Sequence, residues 1–215
     1  PHWHVYWRNP GASGAAPVIR WTLPNGWTAG DIRWPVPKRI RVGPLTNYGY
    51  EDGVTFLVPV EVPGSPLPAG PMTIAADADW LVCRVECIPE TGRFRLQTDS
   101  PAAAADARWP QAGGIAGRYR LDGERIEIAV PSLGLDEDAL ADVWFAAHDW
   151  GPVDASGAQD WTRTPDGLAL SVPVGDLPPE GSTPLQGLLV AEHKDRAPTD
   201  QPGYRLRLVP EPAPA

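Results

Sequence analysis

Residues 71–97 read PMTIAADADWLVCRVECIPETGRFRLQ, and this stretch decides the fold class. Residues 71–82 are typical of a β-strand, and this strand leads straight into a pair of cysteines. Residues 92–97 alternate between polar and apolar side chains, which predicts another strand with Phe94 and Leu96 facing inward. We therefore expect a protein built from β-sheets.

The same signals continue on both sides of this stretch. Upstream, residues 54–62 place apolar side chains on one face by alternation, and Pro59 inside the run indicates an edge strand or a bulge. Downstream, Asp122 and Gly123 separate two alternating runs, as is typical of a two-residue hairpin turn. One short helix is predicted, at about residues 136–142. Further strands are predicted at residues 118–121, 124–130, 143–147, 168–174, 185–191 and 204–209.

Turn signals recur roughly every 8–12 residues, which favours β-sandwiches over α/β folds. Residues 99–113 are rich in alanine and proline and carry no strand alternation, so they form the best domain boundary. We predict an all-β protein with two sandwich domains in tandem, at residues 1–100 and 112–215. A single larger sandwich is the alternative.

The composition excludes several functional classes. The formal net charge is −9, whereas nucleic-acid binding usually needs a basic patch. No apolar run approaches the roughly 18 residues that a membrane-spanning helix needs. Proline and glycine are abundant, at 27 and 22 residues, but ten tryptophans supply the burial that a folded core requires.

The two cysteines, Cys83 and Cys87, are the residues most open to chemistry. A regular helix would hold them slightly too far apart for a disulfide, whereas a turn or bulge after the strand would bring the sulfurs together. Closing so short a loop stabilises the fold by about 2 kcal/mol or less, so the bond would be a weak structural link. Short, labile disulfides favour exchange, but an inert loop disulfide stays open as the alternative.

The charges around the cysteines are mixed. Arg84 would lower a thiol pKa, whereas Glu86 and Glu90 would raise it. We therefore expect no strongly activated thiolate. Selectivity would then come from docking and shielding of the cysteine pair.

Other chemistry is less well supported. His2 and His4 alternate on a predicted strand and with the two thiols would make a soft Cu(I) site, although ordinary histidines are the better interpretation. Five tryptophans lie early in the chain, and we interpret them as core packing rather than as a sugar-stacking platform. They are Trp3, Trp7, Trp21, Trp27 and Trp34.

The sequence has no G-x-S-x-G, Walker or dinucleotide-binding motif.

Four motifs occur in the order found in one known family. They are HVYWRNPGASG at 4–14, IRWP at 32–35, NYGYE at 47–51 and VCRVECIPE at 82–90. The chain resembles the N-terminal periplasmic region of the DsbD/ScsB family of protein-disulfide reductases, and the ScsB-like branch fits best. The resemblance is sharpest over residues 1–92.

The resemblance implies an immunoglobulin-like domain that carries a redox-active cysteine pair, here Cys83 and Cys87. It places the mixed disulfide with partners on Cys87 and the resolving role on Cys83. It also implies that Tyr6 lies near the thiols and that a cap loop covers them, for which the segment between Pro35 and Asn47 is the best candidate. We add to the neighbours of the site Trp80, Glu86, Pro89 and Glu90.

The resemblance further implies where the electrons come from and where they go. The thioredoxin-like domain of the same full-length protein would reduce the pair, which would then reduce periplasmic thioredoxin-fold or disulfide isomerase proteins. No cofactor is expected, and the membrane would be involved only through a transmembrane domain outside this sequence. The chain would be a soluble periplasmic part of an inner-membrane protein. A copper-handling or ligand-binding sandwich with a structural disulfide is the alternative function.

Overall fold

The computed structural model describes residues 2–64, 70–98 and 111–211. Within these ranges every regular element is a β-strand, apart from one short 3-10 turn. The predicted all-β class is therefore confirmed. The boundary predicted at residues 99–113 lies almost entirely outside the described residues, and the chain is described again from Gln111.

The strands up to residue 98 form one main sheet. Among the described residues this sheet has six strands in the order β2-β7-β1-β5-β4, with β8 paired to β7, while β3 and β6 form a separate short pair. All its pairings are antiparallel. The strands are β1 (His4–Gly11), β2 (Val18–Thr22), β3 (Thr28–Ala29), β4 (Lys38–Val42), β5 (Leu45–Glu51), β6 (Val60–Glu61), β7 (Met72–Cys83) and β8 (Cys87–Thr98).

The strands after residue 110 form a second sheet. Its described strands follow the order β11-β14-β15-β9-β10-β13-β12, and only the pair of β15 with β9 is parallel. The predicted hairpin joins β9 to β10, where Asp122 pairs with Arg125 across the turn. The strands are β9 (Gln111–Asp122), β10 (Arg125–Pro131), β11 (Leu140–Ala147), β12 (Asp160–Thr164), β13 (Gly167–Pro173), β14 (Leu185–His193) and β15 (Gly203–Pro210).

Three local predictions are wrong. The helix predicted at 136–142 is only a 3-10 turn at Glu137–Ala139, because β11 already begins at residue 140. The strand predicted at 54–62 is reduced to β6 and one isolated bridge, since its proline lacks the N–H that a ladder needs. Phe94 and Leu96 are 57% and 59% exposed, because β8 lies at the sheet edge.

Two apolar clusters hold the fold together. The first is formed by side chains from the strands of the second sheet and includes Val143, Phe145 and Leu189. The second lies between the two sheets and is shared by them. It combines Trp7, Tyr48 and Tyr50 from the first sheet with Trp144, Ala146, Leu188 and Val190 from the second, and with Ala155.

The shared cluster follows from the sequence of β11 and β14. Both strands carry nearly continuous apolar runs, which is typical of strands buried on both faces. Alternate side chains therefore face alternate clusters, so that Phe145 packs inside the second sheet while Trp144 packs against the first.

Polar contacts reinforce the junction of the two sheets. Arg39 of β4 pairs with Asp142 and Glu192 and lies 5.0 Å above the Trp144 ring. The Asn9 side chain donates a hydrogen bond of 2.8 Å to the carbonyl of Ala147. Since no described strand ladder joins the two sheets, we propose that they correspond to domains at residues 1–100 and 112–215 that share a core.

The shared cluster makes a direct prediction about stability. Replacing Leu188, which is 1% exposed, with alanine removes packing from both sheets. We expect Leu188→Ala to lower the free energy of unfolding by about 2–5 kcal/mol in urea titrations. The matched control is Leu121→Ala, at a leucine that is 48% exposed, with an expected loss below about 1 kcal/mol. Equal losses in both variants would contradict the shared core.

Candidate functional site

The candidate site is the end of the β7–β8 hairpin. Cys83 closes β7 and Cys87 opens β8, and the two are direct partners in the antiparallel ladder. Their Cα atoms lie 4.1 Å apart and their sulfurs are bonded. The turn expected after the first strand is the three-residue loop at 84–86, and it brings the sulfurs together.

The two sulfurs differ in their access to solvent. Cys83 is 3% exposed, whereas Cys87 and all three residues of the adjoining loop lie at the surface. Val85 in this loop is 84% exposed. A thiolate from another protein therefore reaches the disulfide most easily at Cys87.

Tyr6 lies against the accessible sulfur. Its hydroxyl is 3.4 Å from Cys87 Sγ, while the residue itself is 1% exposed. Burial raises the pKa of the Tyr6 hydroxyl, and a hydrogen bond with Ser13 acts in the opposite sense. The phenol is therefore protonated at neutral pH and can donate to a sulfur.

The segment after β1 fixes the Tyr6 ring. Gly14 has a φ of +92°, which favours glycine, and a Cβ there would overlap the ring. Ser13 is held in turn by Asn47, which accepts hydrogen bonds from its backbone N–H at 3.0 Å and its hydroxyl at 3.1 Å. Sequence reasoning missed Ser13, Gly14 and Asn47 as parts of the site, although all three lie within the quoted motifs.

His4 completes the buried side of the site. It pairs with Cys83 across β1 and β7, and its ring meets the Tyr6 ring edge-on at 5.2 Å. The residue is 2% exposed, and its Nε2 has no hydrogen-bond partner. Burial lowers the pKa of His4, while Glu51 and a hydrogen bond with the His2 backbone act in the opposite sense. The imidazole is therefore neutral near pH 7.

The other predicted neighbours are divided between the two faces of the hairpin. Pro89 pairs with Leu81 and shares the face of the disulfide by strand alternation. Glu90 pairs with Trp80, and both lie on the opposite face. Glu86 belongs to the exposed loop.

Arg84 belongs to the same loop. Its guanidinium lies 5.7 Å from the centre of the Trp3 ring, so loop and N-terminal segment meet beside the disulfide. This contact brings one of the early tryptophans to the edge of the site.

The segment proposed as a cap lies elsewhere. Residues 35–47 form β4 and the start of β5, and in the sheet β5 and β1 lie between β4 and the strand that carries Cys83. Asn47 at the end of this segment contacts Ser13, but Arg39 and Val36 contact the second sheet, where Val36 packs against the backbone of Gly203. The prediction missed this because the motif that marks a cap is not recognisable in the sequence.

The alternative sites gain little from the structure. In residues 2–64, 70–98 and 111–211, no group of three or more metal-ligating side chains comes together. The early tryptophans do not form one platform, because Trp7 is buried in the shared cluster. Trp21 and Trp34 do line a cleft of about 590 Å³, together with Trp150. No helix in the described parts of the chain is long and apolar enough to cross a bilayer.

Comparison with known proteins agrees with this geometry. Residues 1–99 match the family described as the N-terminal region of thiol:disulfide interchange protein DsbD. The fold matches the crystal structure of the N-terminal periplasmic domain of ScsB from Proteus mirabilis, with a TM-score of 0.65 and 19% identity. The match covers 97% of this chain and 83% of the other. No curated protein sequence matches the chain significantly.

The structural match extends over both sheets, while the sequence match covers the sheet that holds the disulfide. Both agree with the family inferred from the motifs around Tyr6 and the two cysteines. Residues 1–99 are therefore a DsbD-type N-terminal region, and the fold of the chain is consistent with the DsbD/ScsB family.

Proposed function

We propose that this chain is a protein-disulfide reductase module that passes two electrons from its dithiol form to oxidised partner proteins. The observation that carries the proposal is the asymmetry of the disulfide, with Cys87 at the surface and Cys83 buried. The sulfur of Cys87 is thus accessible to an incoming protein, while the buried sulfur of Cys83 is placed to react with Cys87.

The proposed reaction has two steps. The Cys87 thiolate attacks a partner disulfide, forms an intermolecular S–S bond and releases one partner sulfur as a thiolate. Cys83 then attacks Cys87 Sγ, which re-forms the internal disulfide and releases the second partner sulfur. The partner gains two electrons and the chain becomes oxidised. Tyr6 can donate a hydrogen bond to Cys87 Sγ and so stabilise its thiolate.

The similarity to the DsbD family supports a proposal about location and partners. We propose that the chain works in the periplasm, that the thioredoxin-like domain of the same full-length protein reduces it, and that its acceptors are thioredoxin-fold or disulfide isomerase proteins. The Proteus mirabilis structure that this fold matches is a periplasmic domain, which supports this location.

The fold tolerates an opening disulfide. The loop that the bond closes contains only five residues, so it contributes about 2 kcal/mol or less to stability. The two sheets are held by apolar clusters that include neither cysteine. Reduction therefore leaves the scaffold in place, as a redox module requires.

The first test is to trap the intermediate. Reduced Cys83→Ser, mixed with an oxidised thioredoxin-fold protein, should form a covalent adduct on Cys87 that mass spectrometry detects under non-reducing conditions. The matched variant Cys87→Ser should give about tenfold less adduct, because the remaining thiol is buried. Absence of an adduct with Cys83→Ser, or equal adducts with both, would overturn the proposed role of Cys87.

The second test concerns Tyr6. In the Cys83→Ser background, Tyr6→Phe removes the hydroxyl that faces Cys87 Sγ and should raise the thiol pKa. We expect the rate of alkylation by iodoacetamide at pH 7 to fall about fivefold, as for the loss of about 1 kcal/mol. Tyr204→Phe, in the second sheet, is the control and should leave the rate unchanged. An unchanged rate in Tyr6→Phe would show that the hydroxyl does not act on the thiolate.

A further inference from the structure

We propose that His4 is the proton acceptor for the buried thiol of Cys83, so that it prepares this cysteine to resolve the mixed disulfide. This inference rests on the proposed function and assigns a role to a side chain that the two exchange steps leave unused. It concerns the second step only, since Cys87 and Tyr6 serve the first.

Strand pairing places the two groups together. His4 and Cys83 are direct partners in the antiparallel pairing of β1 with β7. Side chains of such partners lie on the same face, with their Cβ atoms about 4.5–5.5 Å apart. Tyr6 is two residues along β1 and therefore faces the same way, as its contact with Cys87 Sγ confirms.

The second observation is that Nε2 of His4 has no hydrogen-bond partner among the described residues and is free to accept a proton. A buried acceptor without a hydrogen bond is costly, so such an atom in a folded protein calls for an explanation. Nε2 of His4 is such an atom in the disulfide form, where neither sulfur carries a proton. Reduction creates a buried S–H on Cys83 and so supplies the missing donor.

The tautomer fits this role. The hydrogen bond with the backbone of His2 raises the pKa of His4, as expected when a ring N–H donates to a carbonyl. Since Nε2 has no partner, this bond belongs to Nδ1. In a neutral imidazole the lone pair then lies on Nε2.

The charges around His4 suit a base that is neutral at rest. Burial lowers the pKa of the ring and keeps it unprotonated, and Glu51, its partner on β5, raises the pKa and would stabilise the imidazolium. Glu51 is in turn 3.6 Å from the Lys38 ammonium on β4, which moderates its charge. Within the described parts of the chain, the other titratable groups that pack or pair with His4 are Tyr6 on β1 and Cys83 on β7.

The resolving step is balanced as follows. Nε2 of His4 takes the proton from Cys83 Sγ as this sulfur attacks Cys87 Sγ. The Cys83–Cys87 bond forms, the bond from Cys87 to the partner breaks, and the partner sulfur leaves as a thiolate. The imidazolium then returns its proton to that thiolate or to water, so that His4 is neutral again in the disulfide form.

The test uses the full chain with a single cysteine. In Cys87→Ser, the pH dependence of Cys83 alkylation by iodoacetamide reports the thiolate fraction. His4→Phe and His4→Gln should each lower this fraction at pH 7 about tenfold, as expected for the loss of a neighbouring base. The control is His193→Gln, which changes a histidine at the end of β14 in the second sheet and should leave the profile unchanged. Unchanged profiles in folded His4 variants would overturn the proposal.

A reciprocal measurement needs no substitution at His4. By linkage, removing the Cys83 thiol must change the pKa of the imidazole if the two groups share a proton. The His4 ring resonances of Cys87→Ser should therefore titrate differently from those of the variant that also carries Cys83→Ser. Identical titrations would overturn the proposal even if the His4 variants failed to fold.

These readouts separate the inference from the proposed function. Both report on the chain alone, whereas trapping with Cys83→Ser tests exchange with a partner. Successful trapping with no coupling between His4 and Cys83 would remove only the role of His4. Coupling without any trapped adduct would remove the exchange function and leave the proton-sharing pair.

Discussion

The antiparallel ladder between β7 and β8 is the constraint from which the chemistry of this protein follows. It runs from the pair Met72 and Thr98 to the pair Cys83 and Cys87. Because the two cysteines occupy opposite positions at the last rung, the hairpin itself brings their sulfurs together. Pairing of β7 with β1 then sets His4 beside Cys83, and the same strand carries Tyr6 to Cys87.

The packing of the fold does not depend on the Cys83–Cys87 disulfide, because neither apolar cluster includes a cysteine. The stability of the scaffold comes from apolar clusters within the second sheet and between the two sheets. The second sheet therefore has a physical role, because residues of β11 and β14 cover the face of the first sheet that bears Trp7 and Tyr48. The disulfide lies at the last rung of the β7–β8 ladder, outside both apolar clusters.

The sequence predicted those features that depend on local patterns. The apolar runs of β11 and β14, the turn at Gly123 and the close approach of the cysteines all follow from alternation and turn chemistry. The failures occur where long-range packing decides. Phe94 alternates like a core residue, but it lies on an edge strand that no sequence pattern distinguishes from a central one.

In the candidate site, too, local patterns predicted some features, while long-range strand order decided the others. The cysteine pair is visible as a motif, whereas the assembly around it depends on strand order. His4 appeared only as a weak metal ligand, because its pairing with Cys83 joins residues that are far apart in sequence. The segment at 35–47 was expected to cover the thiols, yet the order of the strands places it toward the second sheet. Neither placement is encoded in a local pattern.

The reduction potential of the Cys83–Cys87 pair tests the central claim most directly. Equilibration of the chain in defined thiol–disulfide buffers, followed by alkylation and mass spectrometry, gives the fraction oxidised at each potential. A bond that opens and closes in exchange with thioredoxin-fold proteins should have a potential between about −180 and −270 mV. A value below about −300 mV, typical of structural disulfides, would contradict the account.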